Sequence, residues 1–238
     1  MGKPSLPKKA PVFFFLTFTG IFLSLLLMVA NAQGATKPQM LITWQAHGSY
    51  VPPSYHGKAL PNWASQITAS LLLLSGNSAA NIQNQTIYWY ADDTLIGGGQ
   101  GMQTISFVPA GGAPNLVALK AELPDYPGGL LVHTIQIPIV QPKAVIEAGH
   151  PSEQFGNPAI VLQGTPYFFG ISDPASLSFV WSVNGTAPAT AINPQVLQLN
   201  LGSNIPSGST FATALTITDP QARISGTDST NIIYVKQL

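Results

Sequence analysis

Apolar and polar residues alternate along most of this chain in short runs, and each run ends at a turn-forming cluster. Residues 104–108, Thr-Ile-Ser-Phe-Val, alternate from Thr104 to Phe107. Residues 116–123 are rich in Ala, Leu, Lys and Glu, which favour helices. Their alternation nevertheless puts Val117, Leu119, Ala121 and Leu123 on one face, with Lys120 and Glu122 opposite. A period of two is the signature of a strand with one buried face. The same reading gives strands over 40–44, 65–74, 94–96, 130–137, 144–148, 159–162, 167–171, 213–217 and 231–235. Pro138 marks the 130–137 strand as an edge. The run Gly97-Gly98-Gly99-Gln100-Gly101 reads as a hairpin turn. It does not read as a phosphate loop, because it neither opens a helix nor carries a P-loop lysine.

One strand occurs twice. The first copy is Thr86-Ile87-Tyr88-Trp89-Tyr90-Ala91-Asp92-Asp93-Thr94, and the second is Leu177-Ser178-Phe179-Val180-Trp181-Ser182-Val183-Asn184-Gly185-Thr186. Each is aromatic and β-branched and stops at a polar turn pair, so each enters a hairpin. The tryptophans are 181 − 89 = 92 residues apart, about the size of one small sandwich. Leu197 and Leu199 follow Ile105 and Phe107 at the same offset. Trp89 and Trp181 are the predicted core tryptophans, plugs between facing sheets. The expected fold class is all-β: two tandem sandwiches over 38–140 and 143–238, joined by the short linker Gln141-Pro142-Lys143, behind an N-terminal hydrophobic helix.

The two tryptophan strands resemble the W-x-x-[DN]-[DG]-T strand and turn of bacterial immunoglobulin-like and PKD-type surface domains. The likeness extends as a pattern over nearly all of residues 37–238. The second copy has Asn184-Gly185 at the turn. The first has Asp92-Asp93, a departure from the PKD pattern. The resemblance implies a spacer, adhesin or assembly module.

Residues 1–32 have the layout of an export signal: Lys3, Lys8 and Lys9, an uncharged run over 11–30, then Ala30-Asn31-Ala32 before Gln33. Small residues at Ala30 and Ala32 suit a signal peptidase cutting before Gln33. The apolar run is also long enough to span a bilayer, so an uncleaved anchor is the competing reading. Both send the remainder outward, to the cell envelope or the extracellular space. The membrane is then a partner only if the segment is retained.

Composition narrows the chemistry. The whole chain has nine acidic and nine basic residues. Without the three leading lysines, six basic residues face nine acidic ones, which leaves no basic stripe for nucleic acid. The absence of cysteine excludes disulfides, thiolate zinc sites and cysteine nucleophiles; in an exported chain it favours a bacterial or archaeal source. Asp92-Asp93, the one adjacent acidic pair, reads as a solvated turn. His47, His56, His133 and His150 lack a zinc-binding spacing. No catalytic constellation is legible, and the expectation is a non-enzyme with no cofactor and no metal. The loop over 45–64 concentrates Tyr50, Tyr55 and Trp63 among prolines and glycines. It reads either as the cover of one core end or as a stacking platform for glycan. Three functions are therefore carried forward: a structural or adhesive surface module with protein or glycan partners, an accessory subunit of an extracellular assembly such as a pilus, and a carbohydrate-binding sandwich.

Overall fold

The computed structural model describes residues 37–110, 115–149, 153–157, 159–187, 194–202 and 204–236. The expected N-terminal helix, the cleavage residues Ala30, Ala32 and Gln33, and His150 lie outside the described residues. Among the described residues no helix is long and apolar enough to cross a membrane, and strands dominate.

The first unit contains β1 (Gln39–His47), β2 (Gln66–Ser75), β3 (Ser78–Ala79), β4 (Thr86–Ala91), β5 (Thr94–Gln100), β6 (Thr104–Phe107), β7 (Leu116–Leu123) and β8 (Leu131–Pro138). One sheet sets β2 between β1 and β6, with β3 folding back on the end of β2. The other runs β5-β4-β7-β8. The second unit contains β9 (Lys143–Ala148), β10 (Gln154–Phe155), β11 (Ala159–Tyr167), β12 (Ser178–Val183), β13 (Val196–Asn200), β14 (Thr210–Asp219) and β15 (Ile224–Tyr234). Its sheets run β13-β11-β9 and β10-β15-β14-β12. In both units three strands distant in sequence share one sheet, and in the other the tryptophan strand pairs with its return partner, β4 with β7 and β12 with β14, followed by β8 or β15, an immunoglobulin-like plan.

Each sandwich has its own hydrophobic core. The first gathers buried side chains from Met40 to Ile139, and the second from Ala144 to Ile232. Alternation along β7 buries Val117, Leu119, Ala121 and Leu123, which is the physical reason a helix-favouring composition forms a strand here. Trp89 is fully buried and Trp181 is 4% exposed. Each indole N–H donates to a carbonyl thirteen residues on, Met102 at 2.8 Å and Pro194 at 3.0 Å. The repeat is thus a repeat of hydrogen bonding as well as of spacing.

The hairpin turns are also alike. Asp92 and Asp93 have φ of 47° and 64°, and Asn184 and Gly185 have 49° and 77°. Both pairs hold the left-handed conformation of a type I′ turn. In each copy the first turn residue clamps the returning strand at two points. Asp92 N–H donates to the Ala118 carbonyl and its carboxylate accepts from Ala118 N–H. Asn184 does the same with Ala212. The Asp-Asp pair therefore builds the same turn as Asn-Gly.

Two expectations need correction. The glycine run is not the turn, because Gly97, Gly98 and Gly99 lie inside β5 and the chain reverses at Gly101, φ 67°. The cause is space. A Cβ on Gly97 would stand 2.8 Å from Ile105 Cδ1, and one on Gly98 would overlap the Tyr88 ring. Nor do residues 167–171 form a strand. β11 ends at Tyr167, and Phe168 takes a left-handed φ of 59°. That turn brings the chain against the first unit.

Candidate functional site

Tyr50, Tyr55 and Trp63 sit on the connection between β1 and β2, which is folded against the second unit. Tyr50 N–H donates to the Phe169 carbonyl at 2.9 Å, and Phe168 N–H donates to the Tyr50 carbonyl at 2.7 Å. This short antiparallel bridge joins the two sandwiches. Gly48 and Gly170 let the backbones approach. A Cβ on Gly48, whose φ is 69°, would lie 3.3 Å from the Gly170 carbonyl, and one on Gly170 would lie 3.3 Å from Ala64 Cβ.

Asn62 fastens the seam. It is fully buried, as is Ser65. Its side-chain oxygen accepts from Ala64 N–H at 2.7 Å and from the Ser65 hydroxyl at 3.3 Å. Its side-chain N–H donates to the Phe168 carbonyl at 2.5 Å. A buried amide needs all these partners, and one belongs to the other unit. Asn62 is thus paired in full only while the units are docked. The linker is pinned as well: Ile139 N–H donates to the Asn115 carbonyl, and Val140 N–H to the Pro61 carbonyl, both at 2.9 Å.

The aromatic side chains meet edge to face. Tyr55 stands at 79° to Tyr167 and 86° to Phe168, with centroids 6.0 and 5.6 Å apart. Trp63 packs against the first core instead. The rings around Tyr55 form an edge-to-face stack turned toward the second unit, with no shared plane. Burial raises the Tyr167 pKa above the ordinary phenol value, helped by the nearby Glu147 carboxylate and by Tyr50 and Tyr55. Lys58, on the same connection, places its ammonium 3.2 Å from the centroid of the Trp44 ring. Partial burial lowers its pKa from the ordinary lysine value.

Candidate chemistry elsewhere is sparse. Asp92 and Asp93 are exposed. Asp92 is held by its backbone clamp, and Asp93 lies 3.5 Å from Lys120. Among the described residues no group of three or more His, Asp or Glu side chains is placed to hold a metal. Sequence reasoning missed Asn62, Phe168 and the glycines of the seam. The density of turn residues around Asn62 was the one available signal, and it did not name a partner 106 residues away.

No family model matches the chain, and no curated protein matches it. Several solved structures do. The fibronectin(III)-like modules of Clostridium thermocellum CbhA align with 14% identity and a TM-score of 0.28, covering 82% of this chain and 95% of that one. The three N-terminal domains of the bacteriophage RB49 highly immunogenic outer capsid protein align with 14% identity and a TM-score of 0.42, covering 83% of this chain and 59% of that one. The Ig1-2 module of the Drosophila receptor protein tyrosine phosphatase DLAR aligns with 8% identity and a TM-score of 0.25, covering 83% and 98%. At these scores the likeness adds nothing to the strand order, which carries the assignment by itself.

Proposed function

We propose that this chain is a non-enzymatic spacer, exported or anchored at the cell surface by its N-terminal segment, in which two sandwiches act as one stiff body. The observation that carries this reading is the buried Asn62, whose hydrogen bonding is completed by the Phe168 carbonyl across the seam. Each time the units parted, that amide would exchange the Phe168 carbonyl for water and lose the net worth of the bond, about 0.5–1.5 kcal/mol. A spacer gains reach and fixed presentation from such a lock. The edge-to-face packing of Tyr55 supports a structural role for the loop over a flat glycan platform.

The test uses the natural lack of cysteine. Spin labels on single cysteines at Gln45 and Val161, one exposed site in each unit, report the distance between units in the full chain. A single narrow distribution supports the stiff spacer, and a broad one overturns it. Intact mass from the native membrane addresses processing: a chain starting at Gln33 is released, and a full-length one is anchored.

A further inference from the structure

We infer that Tyr55 and Tyr167 form an oxidative cross-linking site, at which a peroxide-driven one-electron oxidant joins the two sandwiches through a carbon–carbon bond between the phenol rings. The inference rests on the docked seam of the stiff-spacer reading and adds a covalent chemistry to it.

Both units build the pair. Tyr55 lies on the connection between β1 and β2, and Tyr167 ends β11. Their ring centroids are 6.0 Å apart. Phe168 touches both rings, at 5.6 Å from Tyr55 and 6.1 Å from Tyr167. Its backbone is held from the first unit at two points, since its N–H donates to the Tyr50 carbonyl and its carbonyl accepts from the Asn62 side chain. Phe168 therefore keeps the two phenols together for as long as the seam is closed. Gly57 makes room on the other side, because a Cβ there would overlap the Tyr55 hydroxyl and ring. The chain has seven tyrosines. Among the described residues this is the one tyrosine pair in ring contact.

The reaction balances as follows. Each phenol gives up one electron and its hydroxyl proton and becomes a phenoxyl radical. The unpaired electron is shared with the carbons ortho to oxygen. Two such radicals in contact join at those carbons. The hydrogen on each joined carbon then moves to oxygen and restores the phenol. The chain loses two hydrogen atoms in all. Hydrogen peroxide, acting through a haem peroxidase, takes up the two electrons and two protons and leaves as two waters.

The surroundings direct oxidation to these rings. There is no cysteine, so no thiol, the side chain most readily oxidised by peroxide, diverts it. The indoles of Trp89 and Trp181 are buried. The Lys58 ammonium, 3.2 Å from the Trp44 ring centroid, opposes the positive charge that loss of an electron would leave there. Tyr55 and Tyr167 are both half-buried, so oxidant and solvent reach them. An edge-to-face pair must turn before it can couple at the rim. Tyr55 is the ring that turns, because its hydroxyl is tied only to the Lys58 carbonyl at 3.3 Å, a weak bond at that length. The link gives a chain without cysteine the kind of staple that a disulfide supplies elsewhere.

The experiment treats the full chain in mild detergent with hydrogen peroxide and a haem peroxidase. A single chain lighter by two hydrogen atoms should appear, with the fluorescence of a coupled phenol pair. In a tryptic digest the peptide ending at Lys58 should be joined to the one starting at Ala144. Tyr55→Phe and Tyr167→Phe keep the rings in place and should each lose the link, while Tyr88→Phe should keep it. A link that survives in Tyr55→Phe, that forms only between chains, or that maps to Tyr88 and Tyr90 overturns the proposal. The spin-label distance, taken before oxidation, separates the two readings. A narrow distribution without the link overturns the cross-link alone. A broad distribution without it overturns the docked seam as well.

Discussion

Replacing Asn62 by Asp isolates the seam from the turn that builds it. The substitution keeps a side-chain oxygen to accept from Ala64 N–H and Ser65 and removes only the N–H that reaches Phe168. Losing that hydrogen bond costs about 1 kcal/mol. A carboxylate oxygen then faces the Phe168 carbonyl in a buried position, which adds about 2–3 kcal/mol at neutral pH after partial compensation by the two remaining donors. The expected total is about 3–4 kcal/mol. Asn62→Ala should cost about 2–3 kcal/mol with no pH dependence, because it opens the turn and the seam without adding charge. The aspartate defect has a pH sign. Burial raises the introduced carboxyl above its unfolded value of about 3.9. The protonated form is therefore favoured in the fold, and the deficit shrinks as pH falls through the raised folded value. Protonation also restores a donor toward Phe168. The assay is urea unfolding followed by tryptophan fluorescence at pH 7.5 and pH 5, with the spin-label distance recorded in parallel. An effect below about 0.5 kcal/mol, together with an unchanged distance distribution, would refute the lock.

Four further outcomes follow from the same structure. Asp93→Gly should stabilise the protein by about 0.5–1 kcal/mol in urea titration, since φ of 64° strains any residue with a Cβ; the exposed Lys120 pair it removes contributes little. Thr213→Val should raise the unfolding free energy by about 1 kcal/mol in urea titration, because the buried hydroxyl has no partner among the described residues and its burial is otherwise uncompensated. Trp89→Phe and Trp181→Phe should each cost about 2–4 kcal/mol, from the lost N–H bond and the cavity left behind; near-equal losses would show that the tie is energetically repeated. The phenol of Tyr167 is raised by burial, so its neutral form contributes stability that is complete below pH 10 and lost as pH rises through the folded value. Tyr167→Phe should make the alkaline loss of stability shallower in urea unfolding between pH 9 and 11.

Much of this architecture follows from local pattern. Alternation along residues 116–123 selects a strand whatever their helix propensity, since only a strand puts all four apolar side chains on one side. The tryptophan pair marks equivalent points of two sandwiches because a large indole between sheets must sit at the same depth in each, with its N–H satisfied at the same distance along the chain. Tertiary structure decided what pattern could not express. Glycines stand within β5 because Tyr88, on its partner β4, and Ile105, on β6 of the other sheet, occupy the space a side chain would need. Asp-Asp and Asn-Gly formed one turn because both accept left-handed backbone and both first residues cap the returning strand. The seam rests on Asn62 and Phe168, 106 residues apart; no periodicity encodes such a contact, and Phe168 holds its left-handed conformation where hydrogen bonds from the other unit fix it.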